Sequence, residues 1–210
     1  EIGSGLVGSE MCIRDRYVTG TFDGLKKILS GSDTEYTSAV DISTSALMDS
    51  NYNAYLDELD GFISKLAEKP DILLMNNELL TKTRAAARRA GFYERSVDGF
   101  GRTVEKYNGI PMMDVGQYYN GTKTVDVIET TTPSATAYGE TAIYAAKLGL
   151  NAFHGISVDG SKMVHTYLPD LNAPGAVKKG EVEMLAGAVL KNSKMAGVLK
   201  GIKVKPKTAG

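Results

Sequence analysis

Residues 51–91 read NYNAYLDELDGFISKLAEKPDILLMNNELLTKTRAAARRAG, and the spacing of their apolar side chains decides the fold class. Tyr52, Tyr55, Leu56, Leu59, Phe62, Ile63 and Leu66 recur in steps of three and four, which puts them on one stripe of an amphipathic helix. Ser45, Asp49 and Ser50 are candidate N-caps, because a short side-chain oxygen can accept from the open N–H groups of a first helical turn. Asp57, Glu58 and Asp60 fall off the stripe. A catalytic carboxylate cluster would need burial to perturb its protonation, so these three read as a solvated face. Pro70 closes the helix, and DILLMN (71–76) reads as a short buried strand. Asn76 or Asn77 then caps a second helix, ELLTKTRAAARRA, which Gly91 stops where left-handed backbone is wanted. Lys82, Arg84, Arg88 and Arg89 spread around that helix and suit solubility or subunit contact better than a phosphate grip.

Upstream, residues 17–44 are turn-rich, with one short helix expected in DGLKKILSG (23–31). Downstream, GRTVEKYNGIPMMDVG (101–116) is a hairpin, because Asn108-Gly109 supplies two residues that tolerate positive φ in a tight turn. Pro111 cannot donate a ladder hydrogen bond, so the returning strand is expected at an edge or starting beyond it. Gln117 to Ala137 reads as a long polar connection. Strand-like sequence resumes in ETAIYAAKLGLNAFHGISV (140–158), with a turn near Gly149. Val182, Met184, Ala186, Ala188 and Leu190 alternate strictly, which predicts one strand with all five on one sheet face. Helix, strand, helix, hairpin, loop and then strands is an α+β order rather than a repeating βα pattern. The chain has no internal repeat and no low-complexity segment.

The composition sets limits. At 210 residues the chain suits one domain, with room for a small second lobe. Its net charge is −1, without the basic excess of a free nucleic-acid binder. From Lys178 to Lys207, however, eight lysines face only Glu181 and Glu183. These lysines read as a solvated edge that discourages stray strand pairing, or as a contact for an acidic partner. No apolar run approaches the ~20 residues that span a bilayer. The single cysteine, Cys12, lies in a segment that stands apart from the rest.

That segment is EIGSGLVGSEMCIRDR (1–16), where Gly3, Gly5 and Gly8 spell G-x-G-x-x-G. A dinucleotide loop needs a strand before it and an amphipathic helix after it, and the sequence provides neither. Residues 1–16 instead resemble a translated sequencing adapter, which sets them outside the natural protein and leaves its only cysteine with them. The best enzymatic candidate is HGISVDGSKMVH (154–165), which would make a small hydrolase using His154, Asp159 and Ser161. Neither Ser157 nor Ser161 sits in a nucleophile elbow, and His154 and His165 are eleven residues apart across an expected turn. No catalytic, cofactor-binding or metal residue is therefore assigned, and no cofactor is expected.

The block order FDGLKKILSGSDTEYTSAVDISTS, NYNAYLDELDGFISKL, KPDILLMNNELLTKTRAAARRAG, FGRTVEKYNGIPMMDVG and EMLAGAVLKNSKMAGVLKGIKVK resembles a tailed-bacteriophage major capsid protein. The fold that resemblance implies is the Hong Kong phage type, shared with encapsulins. It implies a connecting segment over 17–45, an axial domain over 46–179 with two helices around a small mixed sheet, and returning strands of the peripheral domain over 180–210. The N-terminal arm, extended loop and spine helix of such proteins would precede Tyr17 and are absent from this sequence. The role implied is a non-enzymatic, self-assembling subunit of an icosahedral shell, forming hexamers and pentamers around packaged DNA. An encapsulin-type compartment shell is the alternative. Copies of itself are the expected partners, joined in the complete protein by scaffolding, portal or packaged DNA, with no membrane. The virion capsid, assembled in the bacterial host cytoplasm, is the implied location. Tyr118, Tyr119 and Tyr138 flank the long connection and are the candidate subunit contacts, while Asn108, Gly109 and Pro111 are structural.

Overall fold

The computed structural model describes residues 24–91, 94–97, 103–119, 121–132, 137–157, 164–169 and 177–207. Residues 1–16 lie outside that set, as do Asp159 and Ser161. In chain order the elements begin with α1 (Leu25–Leu29), β1 (Glu35–Thr37), α2 (Ser45–Ser64), β2 (Ile72–Met75) and α3 (Asn77–Ala90). Next come β3 (Glu94–Val97), β4 (Thr103–Tyr107), β5 (Ile110–Asp114), β6 (Gln117–Tyr119), β7 (Thr124–Asp126) and β8 (Gly139–Ala146). The last are β9 (Phe153–Ile156), β10 (Val164–Tyr167), β11 (Glu181–Met184), β12 (Gly187–Leu190) and β13 (Ala196–Lys205).

Seven strands make a mixed sheet in the order β1-β13-β8-β2-β5-β4-β3. β1 with β13 and β2 with β5 run parallel, and the remaining neighbours are antiparallel. The stripe on α2 buries Tyr55, Leu59 and Phe62, with Leu79 of α3, against Leu73, Met75, Ile143 and Leu199 of the sheet. On the opposite face Leu25, Leu29, Val127 and Ile128 close a second core over Tyr144, Ala146 and Val198. β8 is therefore covered on both sides, which is why AIYAA carries no polar alternation.

The N-cap of α2 is Thr44, whose Oγ1 accepts from the Leu47 N–H at 3.2 Å, so the cap lies just upstream of the three residues expected from sequence. The helix also ends earlier than expected, at Ser64, where the Lys65 N–H turns back to the Phe62 and Ile63 carbonyls before Pro70 is reached. At the start of α3 the choice falls on Asn76. Its Oδ1 accepts from the Leu79 N–H at 2.9 Å, and its Nδ2 faces Ile128 O at 3.0 Å and the Thr130 and Thr141 hydroxyls at 3.1 Å each. One buried amide thus ties α3 to the 128–130 segment and to β8. Gly91 closes the helix with φ of 77°, as the sequence indicates.

The two-residue loop Asn108-Gly109, with φ of 50° and 74°, joins Tyr107 to its partner Ile110. β5 lies inside the sheet, between β4 and β2, yet its pairing with β2 begins only at Met112. Pro111 therefore interrupts no hydrogen bond to β2, which is how an interior strand accommodates it.

Two further expectations are corrected, besides the cap and end of α2 and the edge position expected for the strand that carries Pro111. The stretch from 117 onward is not a polar loop: β6 and β7 form a ribbon, and Val127 and Ile128 are buried in the second core. Nor do residues 182–190 make one strand. β11 pairs with β10 and β12 with β9, in separate two-stranded ribbons, because the register breaks at Leu185-Ala186.

Hydrogen bonding runs across the expected boundary at 179/180, since β13 lies between β1 and β8. In β13, Ala196 and Val198 face the second core while Leu199 faces the helices. Strict alternation would send Ile202 and Val204 to the wrong side. One extra residue opposite β8, between Leu199 and Ile202, resets the parity, so both return to the helix side. Gly201 occupies this bulge with φ of 79°, a conformation that a side chain would strain.

Beyond the sheet edge, Asp71 accepts from the Leu148 N–H at 3.0 Å and from Lys147 Nζ at 2.9 Å. The backbone N–H first, and the ammonium second, hold its carboxyl below the ordinary value of 3.8. The ionised form is thus bound better in the folded chain than in the unfolded one. Its stabilisation is complete above that ordinary value and is lost as pH falls through the lowered one. Asp71→Asn is expected to lower the melting temperature at pH 7, with the difference from wild type vanishing in strong acid. Circular dichroism melts along a pH series would check it, and a difference that persisted at pH 2 would contradict it.

Candidate functional site

The three candidate contact tyrosines do not share a surface. Alternation along β6 sends Tyr118 inward, where it is 8% exposed in the second core, and Tyr119 outward, 67% exposed. Tyr118 is thus corrected to a core residue. Tyr119 donates its hydroxyl to Gly121 O at 3.0 Å, which fixes the ring against its own turn. Tyr138 is half-buried, with Lys203 Nζ and Lys207 Nζ 4.9 and 5.0 Å from its ring centroid. Those two ammonium groups use the ring's negative face.

The hydrolase candidates are not brought together among the described residues. His154 is on β9 and His165 on β10, in different ribbons. His154 Nδ1 and Ser157 Oγ are buried without a hydrogen-bond partner, so no described carboxylate orients that imidazole through Nδ1. Among the described residues no three His, Cys, Asp or Glu side chains approach closely enough to hold a metal ion. No described helix is long and apolar enough to cross a membrane.

A groove of about 380 Å³ runs over the second face of the sheet, lined by Lys26, Glu35, Ile128, Tyr144, Val198 and Lys200 among others. Glu35 accepts from Lys200 Nζ at 2.5 Å and from the Gly31 N–H at 2.8 Å, and both bonds hold its carboxyl below the usual range. Burial, helped by the Glu35 charge, pushes Tyr144 up to about 12. Glu35 is thus held in an ion pair and the Tyr144 phenol stays protonated at neutral pH, so neither of these two serves as a general base. Three of the four cations on α3 are likewise tied within the chain: Arg84 to Glu105, Arg89 to Asp49 at 2.6 Å, and Lys82 to Ser43 O at 2.7 Å.

What the sequence did not reveal is the apolar surface of the arm built from β9–β12 and β10–β11. Phe153 and Leu190 pack its base against the second core. Beyond that base, Ile156, Val164, Tyr167, Leu168, Val177, Val182, Met184 and Leu185 are all exposed. A cleft of about 320 Å³ opens where the two ribbons meet, lined by Ile156, Ser157, Leu185, Ala186 and Gly187. The alternation over 182–190 was the signal for it, but alternation alone does not say whether a face is covered.

No protein-family model and no curated protein matches the chain. Among solved structures, the fold is shared with the holo-SrpI encapsulin complex from Synechococcus elongatus PCC 7942, with a TM-score of 0.63 and 14% identity over 96% of this chain. The chain spans 62% of the length of that encapsulin chain. A putative capsid protein of an E. coli CFT073 prophage aligns over 71% of this chain and 47% of its own, with a TM-score of 0.43 and 13% identity. The fold is therefore the α+β fold of the Hong Kong phage capsid type.

Proposed function

We propose that the chain is a structural subunit of a closed protein shell, working by contact with copies of itself and not by bond-breaking. The observation that carries this reading is the likeness of fold to an encapsulin over nearly the whole chain. An exposed apolar arm adds support, since shells are built from repeated symmetric contacts. In its phage form the subunit makes the hexamers and pentamers of an icosahedral virion and encloses packaged DNA. The encapsulin likeness also favours a second form, a compartment shell with protein cargo.

Negative-stain electron microscopy of the purified protein, with nucleic-acid content from the 260/280 nm absorbance ratio, tests both. Closed particles rich in nucleic acid are expected for the phage form, and closed particles with a co-purifying protein for the compartment. Failure to form any higher-order species, together with ester or phosphoester turnover abolished by His154→Ala, would replace the shell reading with the hydrolase one.

A further inference from the structure

Ten of the thirteen large hydrophobics exposed among the described residues fall between Leu148 and Leu185, a concentration in one part of the chain. Register sorts part of it by face. In the β10–β11 ribbon, Val164 stands opposite Met184 and Thr166 opposite Val182, so these four share one side. His165, Tyr167, Glu181 and Glu183 share the other. The first side carries no charge, and all four of its side chains are exposed. A two-stranded ribbon is marginal in water without something packed on an apolar face.

The charge pattern and the chain's own surface select the occupant. Elsewhere among the described residues only Val97, Met113 and Tyr119 are large, apolar and exposed, and they stand on three different strands. Outside residues 148–185 no described surface matches the ribbon, whereas the same ribbon on another copy, the partner that the shell reading supplies, does. Glu181 and Glu183 would repel if two copies met through the acidic side, whereas the uncharged side buries no charge when it meets its own kind. We infer that two copies of the chain associate face to face through Val164, Val182 and Met184, extended by Ile156 and Leu185 at the adjoining cleft. The contact is isologous, the same patch on both partners. This inference rests on the shell reading and names the surface that serves it.

The test uses the whole chain. Val182→Lys with Met184→Lys places two cations on the shared face at exposed positions. Sedimentation velocity over a concentration series is expected to show association weakened at least ~10-fold, with far-UV circular dichroism unchanged. A second measurement adds Val182→Cys to a Cys12→Ser background and treats it with a short bismaleimide, which is expected to yield covalent dimers joined through residue 182. Association that survives the double variant without any 182–182 crosslink overturns the arm contact and leaves the shell reading standing. A chain that stays monomeric at every concentration removes both.

Discussion

Asn76→Ala is expected to lower the unfolding free energy by about 3–4 kcal/mol, combining a lost N-cap of ~1 kcal/mol with buried acceptors left unpaired. The side chain is 1% exposed, so no water replaces its bonds to Ile128 O, Thr130 and Thr141. Asn76→Asp separates the two roles. It keeps the oxygen that caps Leu79 but turns a second oxygen towards the Ile128 carbonyl. Burial and that carbonyl raise the new carboxyl's folded pKa above its unfolded value. The aspartate variant is therefore expected to be destabilised at neutral pH and to recover relative to wild type as pH falls and the group protonates. Urea unfolding of both variants at pH 7 and pH 4 measures this. A mild loss for Asn76→Ala, below 1 kcal/mol, would mean that the network is not holding α3 to the sheet.

The second large effect concerns close approach between β13 and α2. A Cβ on Gly197 would lie 2.9 Å from Leu66 Cδ2, 3.0 Å from Phe62 Cε2 and 3.1 Å from the Thr34 carbonyl. The two side chains belong to the helix stripe, and the carbonyl accepts the Val198 N–H, so none can swing aside freely. Gly197→Val is expected to cost about 3 kcal/mol, the upper end of ordinary overpacking. Gly61, inside α2, offers the opposite case, because a methyl group there would meet nothing within 4 Å. Gly61→Ala is expected to stabilise by ~0.5–1 kcal/mol through helix propensity. Opposite signs for the two in parallel thermal melts are the outcome to look for, and a neutral Gly197→Val would refute the tight packing of β13 on the helix.

Local chemistry made part of this fold legible. The stripe from Tyr52 to Ile63, the Gly91 stop and the Asn108-Gly109 turn each depend on a few neighbouring residues, and each is where the sequence places it. Long-range pairing was not legible. Nothing local tells β13 to insert between β1 and β8, or Tyr118 to face inward while Tyr119 faces out. The arm shows the same limit from the other side: the alternation of Val182 and Met184 is visible in the sequence, but their exposure depends on what the rest of the chain leaves uncovered.

The position of β13 also bears on biogenesis. It is the last strand of the main sheet in chain order, yet it provides the hydrogen-bonded link between β1 and the rest of that sheet. During synthesis, β2, β5 and β8 can pair as they emerge, while the one described partner of β1, Ala196–Lys205, is translated only later. Such a join closes a loop of about 160 residues, a slow, high-contact-order step. Until that step β8 presents an open edge, so the incomplete sheet is the state in which stray strand pairing is a hazard.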